Sequence, residues 1–242
     1  MKVIRPEGFQ KIHQGLLAGL IIFLISNSVS FFMILYQEIA DSFSATPWED
    51  SVTIICDALS ILANIVVING LIESSDSLPE IRPARLWMLV SLIDRAVDIA
   101  CNGITNTLEK AEENLPLAAV SVILFAIGII SSYLAIRFIL IGFHKVWHIC
   151  GGDEKYHRKI NMLRRQYDIF AAISALNIVI SLVLLSIFLL SPETFAKIKI
   201  PPDLSFIFIC EILLLILWYP VLRIRTVRTS GKVAKTIKEI SQ

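Results

Sequence analysis

One stretch of this chain carries polar residues at helical spacing inside otherwise apolar sequence. Ser91, Asp94, Asp98, Asn102 and Thr105 are separated by three, four, four and three residues, so they line one stripe of a helix. Arg95 flanks that stripe, and Leu89, Ile93, Val97 and Ala100 lie mostly on the other side. Carboxylates at such spacing can share a proton or a cation, and an arginine beside them can neutralise one. A charged residue at the centre of a membrane helix costs about 2.5–3.5 kcal/mol on insertion scales. The stripe must therefore face a bundle interior or water.

Composition indicates the elements that would enclose it. The chain has 242 residues, of which 55% are hydrophobic and 18% charged, with a mean hydropathy of +0.71. A soluble domain carries about 25% charged residues. Here the apolar residues fall in six stretches, about 14–36, 51–72, 85–107, 116–142, 167–191 and 204–224. Each is long enough to cross a bilayer as a helix, which takes roughly 20 residues. Tyr36, Trp48, Trp87, Trp147, Trp218 and Tyr219 stand near the boundaries, where amphipathic rings suit the interface. The prolines, Pro220 among them, lie outside the stretches or at their ends. The expected fold is all-α: a polytopic membrane helix bundle of about six transmembrane helices, with residues 1–242 as a single transmembrane domain. The apolar run from Gly15 to Tyr36 outlasts the 7–15 residues of a signal peptide's core, so it reads as the first span.

Charge sets the expected orientation. With the N-terminus cytoplasmic and all six stretches spanning, seventeen of the 22 basic residues fall on the cytoplasmic side. Only Lys110, Lys197 and Lys199 lie on the other, a strong positive-inside bias. Omitting the third stretch would place positive charge on both faces, so residues 85–107 are expected to span. Both termini are then cytoplasmic.

Depth suggests partners for the third helix. At 1.5 Å per residue, Asp98 lies about 12 Å from the outer end of its helix, Asp57 about 9 Å and Glu211 about 12 Å. Asp57, Asp94, Asp98 and Glu211, with Arg95, form a candidate intramembrane ion or proton site. One of these carboxyls is expected to hold a raised pKa or share a cation, because like charges this close do not all ionise. The same residues could instead serve only as interhelical ion pairs that fix packing. Cys56, Cys101 and Cys210 fall in this layer too, without diagnostic ligand spacing.

Other features carry less chemistry. His144 and His148 are spaced i, i+4 in HKVWH, but with no glutamate between them and no obvious third ligand. All four histidines lie at the edges of the spans and no span contains a lysine, which argues against haem and retinal; no cofactor is expected. Gly15 and Gly19 form a small-xxx-small pattern suited to helix packing. Arg158, Lys159, Arg164, Arg165, Lys232, Lys235 and Lys238 sit in two amphipathic segments, 155–167 and the tail, that could lie on anionic lipid head groups or simply continue the helices as anchors. In the tail, Val233, Ile237 and Ile240 supply the apolar face. Arg137 is expected to snorkel to the cytoplasmic interface. Cys150, followed by two glycines, stands where palmitoylation occurs.

Net charge of +1 gives no reason to expect a nucleic-acid partner. No nucleophile–base pair or metalloprotease motif is present, which weighs against an enzyme. Two functions fit an integral, multi-pass membrane protein of this kind. One is a small cation or proton channel or transporter, or a subunit of one, working through the acidic cluster. The alternative is a non-catalytic scaffold, assembly subunit or receptor that associates with other membrane subunits, in which the cluster only fixes helix packing.

Overall fold

The computed structural model describes residues 4–40, 47–107, 115–190 and 202–241. Among them there are six α-helices, one short 3-10 turn and no strand. The helices are α1 (Pro6–Ala40), α2 (Pro47–Ser75), α3 (Arg82–Thr107), α4 (Leu115–Ile149), α5 (Glu154–Leu190) and α6 (Pro202–Ser241). The 3-10 turn, Pro79–Ile81, joins α2 to α3. Proline opens α1, α2 and α6, where its missing N–H costs nothing because the first turn's donors have no helical partner.

Each helix packs on the next in sequence, and α6 returns to pack on α1. The bundle is thus a closed ring of antiparallel neighbours. By length and apolarity three described segments qualify as membrane spans: Pro6–Phe32, Ile54–Ser75 and Ala126–Ile149. The chain is therefore a helical membrane protein.

Several helices outrun a hydrocarbon layer of about 30 Å. The 35 residues of α4 extend about 52 Å and the 40 of α6 about 60 Å. Two extensions run beyond the apolar stretches. The basic segment 155–167 continues as the first turns of α5, with Ile160, Leu163 and Tyr167 buried. Nor does α6 stop at Pro220, which lies inside the helix. An interior proline costs about 3 kcal/mol. Burial of Leu222, Val233 and Ile237 beyond it, at roughly 1.5–3 kcal/mol for each fully buried side chain, offsets that loss.

The turn between α4 and α5 shows how local chemistry sets these ends. Gly151 adopts φ +67°, the left-handed conformation that glycine reaches without a Cβ clash. Its N–H donates to the His148 carbonyl at 3.2 Å and that of Gly152 to the Trp147 carbonyl at 2.9 Å, the two bonds of a Schellman cap. Asp153 then caps α5, its carboxylate accepting from the Lys155 N–H at 3.0 Å.

The buried core gathers at the end of the ring that carries the basic residues. Phe9 and Ile12 of α1, Leu71 of α2, Ile139 and Phe143 of α4, Ile160 of α5 and Val233 of α6 all contribute. Two of the tail's apolar residues are part of it: Val233 is 0% exposed and Ile237 2%, while Ile240 is 59% exposed. Lys232 lies over the rings of Tyr156 at 4.0 Å and Trp147 at 5.2 Å, holding the tail to the α4–α5 turn.

Candidate functional site

The stripe on α3 begins as ordinary core. Ala84, Met88 and Ser91 recur at spacings of four and three and are buried. Arg95, which flanks the polar stripe, follows Ser91 by one turn, yet it is exposed. Its guanidinium donates to the Ser60 hydroxyl of α2. That contact bridges α2 and α3, and Asp57 lies three residues before Ser60 on α2.

Asp94 faces the opposite neighbour. Its carboxylate lies against Gly128 of α4, where a Cβ would come 2.5 Å from Oδ2. Glycine at 128 is what lets the carboxylate approach the α4 backbone. One turn away, the hydroxyls of Ser91 and Ser132 are 3.0 Å apart. Adjacent residues of α3 thus serve two seams, Arg95 toward α2 and Asp94 toward α4. Asp98 and Glu211 lie outside the residues whose side chains are described, as do Asn102, Thr105, Cys101 and Cys210. Cys56 is buried with a free thiol.

A second polar group lies between α4 and α5, and the sequence reading missed it. Tyr133 donates to Asp168 Oδ1 at 2.6 Å, and Arg137 Nε stands 3.3 Å from the same oxygen. Arg137, expected to reach for the interface, meets a carboxylate across the seam. The available signal was the spacing on α5: Arg164, Asp168, Ala171, Ala175 and Ile178 form one stripe at intervals of four, three, four and three.

Polar contacts cross the remaining seams as well. Lys11 pairs with Glu73 between α1 and α2. The Tyr167 and Thr226 hydroxyls are 2.9 Å apart, and Arg225 donates to Gln166 at 2.8 Å, between α5 and α6. His13 and Ser230, 2.9 Å apart, close the ring between α6 and α1.

The histidine pair gains a neighbour. His157 of α5 brings its ring to 4.6 Å from His144 and 5.7 Å from His148, and Asn161 lies 3.3 Å from His144 Nε2. Even so, among the described residues no three His, Cys, Asp or Glu side chains are arranged to hold a metal ion.

No protein family, no characterised protein and no solved structure matches this chain. The site has to be read from its own geometry.

Gly15 and Gly19, though part of one sequence pattern, sit in different surroundings. A Cβ on Gly15 would meet the Ala63 carbonyl at 2.8 Å and the Val67 N–H at 2.9 Å, both α2 backbone. One on Gly19 would find nothing closer than Arg223 at 3.8 Å. Arg223 itself lies over the rings of Phe23 and Tyr219, at 5.0 and 5.4 Å. Of the basic positions, Arg158, Lys159, Arg165, Lys232, Lys235 and Lys238 are exposed and Arg164 half-buried. Arg158 pairs with Glu154 and Lys235 with Glu239, exposed i, i+4 contacts worth only a few tenths of a kcal/mol. Burial pushes the half-buried Cys150 thiol above its usual range, which disfavours the thiolate needed for acylation or alkylation.

Proposed function

We propose that this protein crosses the membrane six times with both termini in the cytoplasm, and that it passes or senses a cation or proton along the polar stripe of α3. The observation that carries the reading is the change of burial on that stripe. Ala84, Met88 and Ser91 are packed away, whereas Arg95, one turn on and flanking the stripe, is accessible. A face that continues a core and yet admits a charged, exposed residue needs a polar space in front of it, because hydrocarbon there would be costly. Asp94, Asp98 and Asp57 supply negative charge around that level, and Glu211 is the further carboxylate assigned to it. Arg95 offsets one of them and limits the net charge a cation meets. The charge asymmetry of the loops supports the orientation.

The test is flux in vesicles reconstituted with the purified protein under a potassium, sodium or proton gradient. Asp94→Asn and Asp98→Asn are expected to change flux while yield and thermal stability of the solubilised protein stay near those of the parent chain. Normal flux in both variants would remove the stripe from any transport mechanism.

The scaffold reading draws on a separate observation, that polar groups meet across every seam of the ring. Under it, the same substitutions lower the melting temperature and leave no flux to change, since the parent chain passes none.

A further inference from the structure

The seam between α4 and α5 is polar at one end and hollow at the other. A half-open, apolar groove of about 180 Å³ runs along it, lined by Ile129, Ile130, Tyr133, Ala171, Ala175 and Ile178 among others. Ala171 and Ala175 make the hollow, because small side chains on α5 face larger ones on α4. Ile130 is 47% exposed and Ala175 is exposed, so the groove opens outward from the bundle. In a membrane protein, that side of the seam faces lipid chains.

At the basic end of the groove stands Arg137, its side chain 41% exposed. Among the described residues it meets Asp168 through Nε, which leaves the two terminal nitrogens of the fork for a second acceptor. Arg164 lies one turn beyond Asp168 on the same stripe of α5 as Ala171, Ala175 and Ile178. Two guanidiniums against one carboxylate leave this mouth net positive. An arginine forks onto phosphate oxygens with two parallel hydrogen bonds, and a partly exposed charge inside an apolar segment needs such a partner.

We infer that the α4–α5 groove is a binding site for an anionic phospholipid, with the headgroup phosphate on Arg137 and Arg164 and one acyl chain lying between Ile130 and Ala175. The polarity of the seam matches that of the ligand. Charge sits toward the end where helix α5 turns polar, and apolar surface extends from it toward the bilayer interior. The site rests on the membrane-spanning reading and is independent of ion passage.

Native mass spectrometry of the detergent-solubilised full chain, with dioleoyl phosphatidylglycerol or dioleoyl phosphatidylcholine added, tests it. The parent protein is expected to retain phosphatidylglycerol preferentially. Arg137→Gln should weaken that retention about fivefold, the change that corresponds to the ~1 kcal/mol gained by one basic side chain near an anionic surface. Ala175→Phe, at an exposed position, should weaken retention of both lipids by filling the groove, with the melting temperature of the solubilised protein checking that the fold is kept. Equal retention of the two lipids by the parent chain overturns the inference, as does phosphatidylglycerol retention unchanged in Ala175→Phe. Disulfide-linked dimers formed by Ala175→Cys in native membranes would also overturn it, because a second copy would then occupy the groove. An absence of flux in vesicles leaves the inference standing, so the two readings fail separately.

Discussion

Gly15→Ala and Gly19→Ala should move stability in opposite directions. Both positions lie inside α1, and both substitutions gain about 0.5–1 kcal/mol by reducing backbone freedom in the unfolded chain. That gain is common to the pair and cancels in their difference. What remains is the contact. At Gly15 the new methyl meets two α2 backbone atoms, the Ala63 carbonyl at 2.8 Å and the Val67 nitrogen at 2.9 Å. Backbone in a packed helix cannot rotate aside, so α1 and α2 must separate locally. Overpacking of this kind costs about 1–3 kcal/mol. At Gly19 the nearest atom is 3.8 Å away, an ordinary van der Waals contact. At about 2–4 °C per kcal/mol for a chain of this size, Gly15→Ala should melt about 2–12 °C below Gly19→Ala. Gly19→Ala should equal or slightly exceed the parent. The assay is thermal unfolding of the detergent-solubilised proteins, followed by tryptophan fluorescence or aggregation. Gly70→Ala gives an independent check from the other helix, because its methyl would meet the Gly8 carbonyl at 2.6 Å and the Ile12 nitrogen at 2.7 Å. Equal shifts at 15 and 19 would mean that the two helices do not cross as described.

Three further tests separate residues that look alike in the sequence or probe the buried end of the ring. Ile237→Ala should cost about 2–5 kcal/mol, since the side chain is 2% exposed in the core, whereas Ile240→Ala should stay within about 0.5 kcal/mol at 59% exposure; similar melting temperatures for the two would refute the docked tail. Cys150 should alkylate more slowly with maleimide at neutral pH in the folded protein than in the SDS-denatured chain. Burial holds both the Cys150 thiol and the Tyr156 phenol neutral, raising them above their ordinary values of 9.0 and 10.0. For a group whose folded pKa is raised, the stabilisation is whole below the ordinary value and lost as pH climbs through the raised one. Thermal stability should therefore decline above about pH 9, and a flat profile from pH 8 to 11 would contradict the burial of these two groups.

Helix content and the membrane character were legible because they rest on long apolar runs, which override local ambiguity. The reach of the helices was not. Residues 154–165 are too charged to register as part of a span, and Pro220 reads as a terminator, yet both lie within continuous helices. What extends them is tertiary contact that spacing alone does not disclose: Ile160 and Leu163 pack inward, and Val233 and Ile237 find the same core. The α3 stripe was visible as a stripe, but which helix each residue serves depended on the ring order. Adjacent residues, Asp94 and Arg95, turn to α4 and α2 respectively. Asp168 escaped notice because a single carboxylate near the start of an apolar run looks like a boundary residue. Only the partner tyrosine and arginine of α4 give it meaning.

Two different forces hold the ring together along its length. Where the chain is charged, in residues 154–165 and 223–241, helices associate by withdrawing apolar side chains from water, and fully buried Ile160 and Val233 mark that region. Deeper along the helices no such drive exists between apolar surfaces, because lipid is as good a neighbour as leucine. There the contacts change character. Gly15 admits the α2 backbone, Gly128 admits a carboxylate, and hydroxyl pairs such as Ser91 and Ser132 bridge helices. Enlarging a small residue in the deep region should therefore loosen one seam, whereas removing a large residue at the basic end should loosen the docking of α5 and α6 on the rest. The polar stripe of α3 begins where the first force gives way to the second, between buried Ser91 and exposed Arg95. At that level the core has already ended and the exposed apolar residues Ile93 and Val97 lie on the other side of the helix, so polar groups there displace no packing.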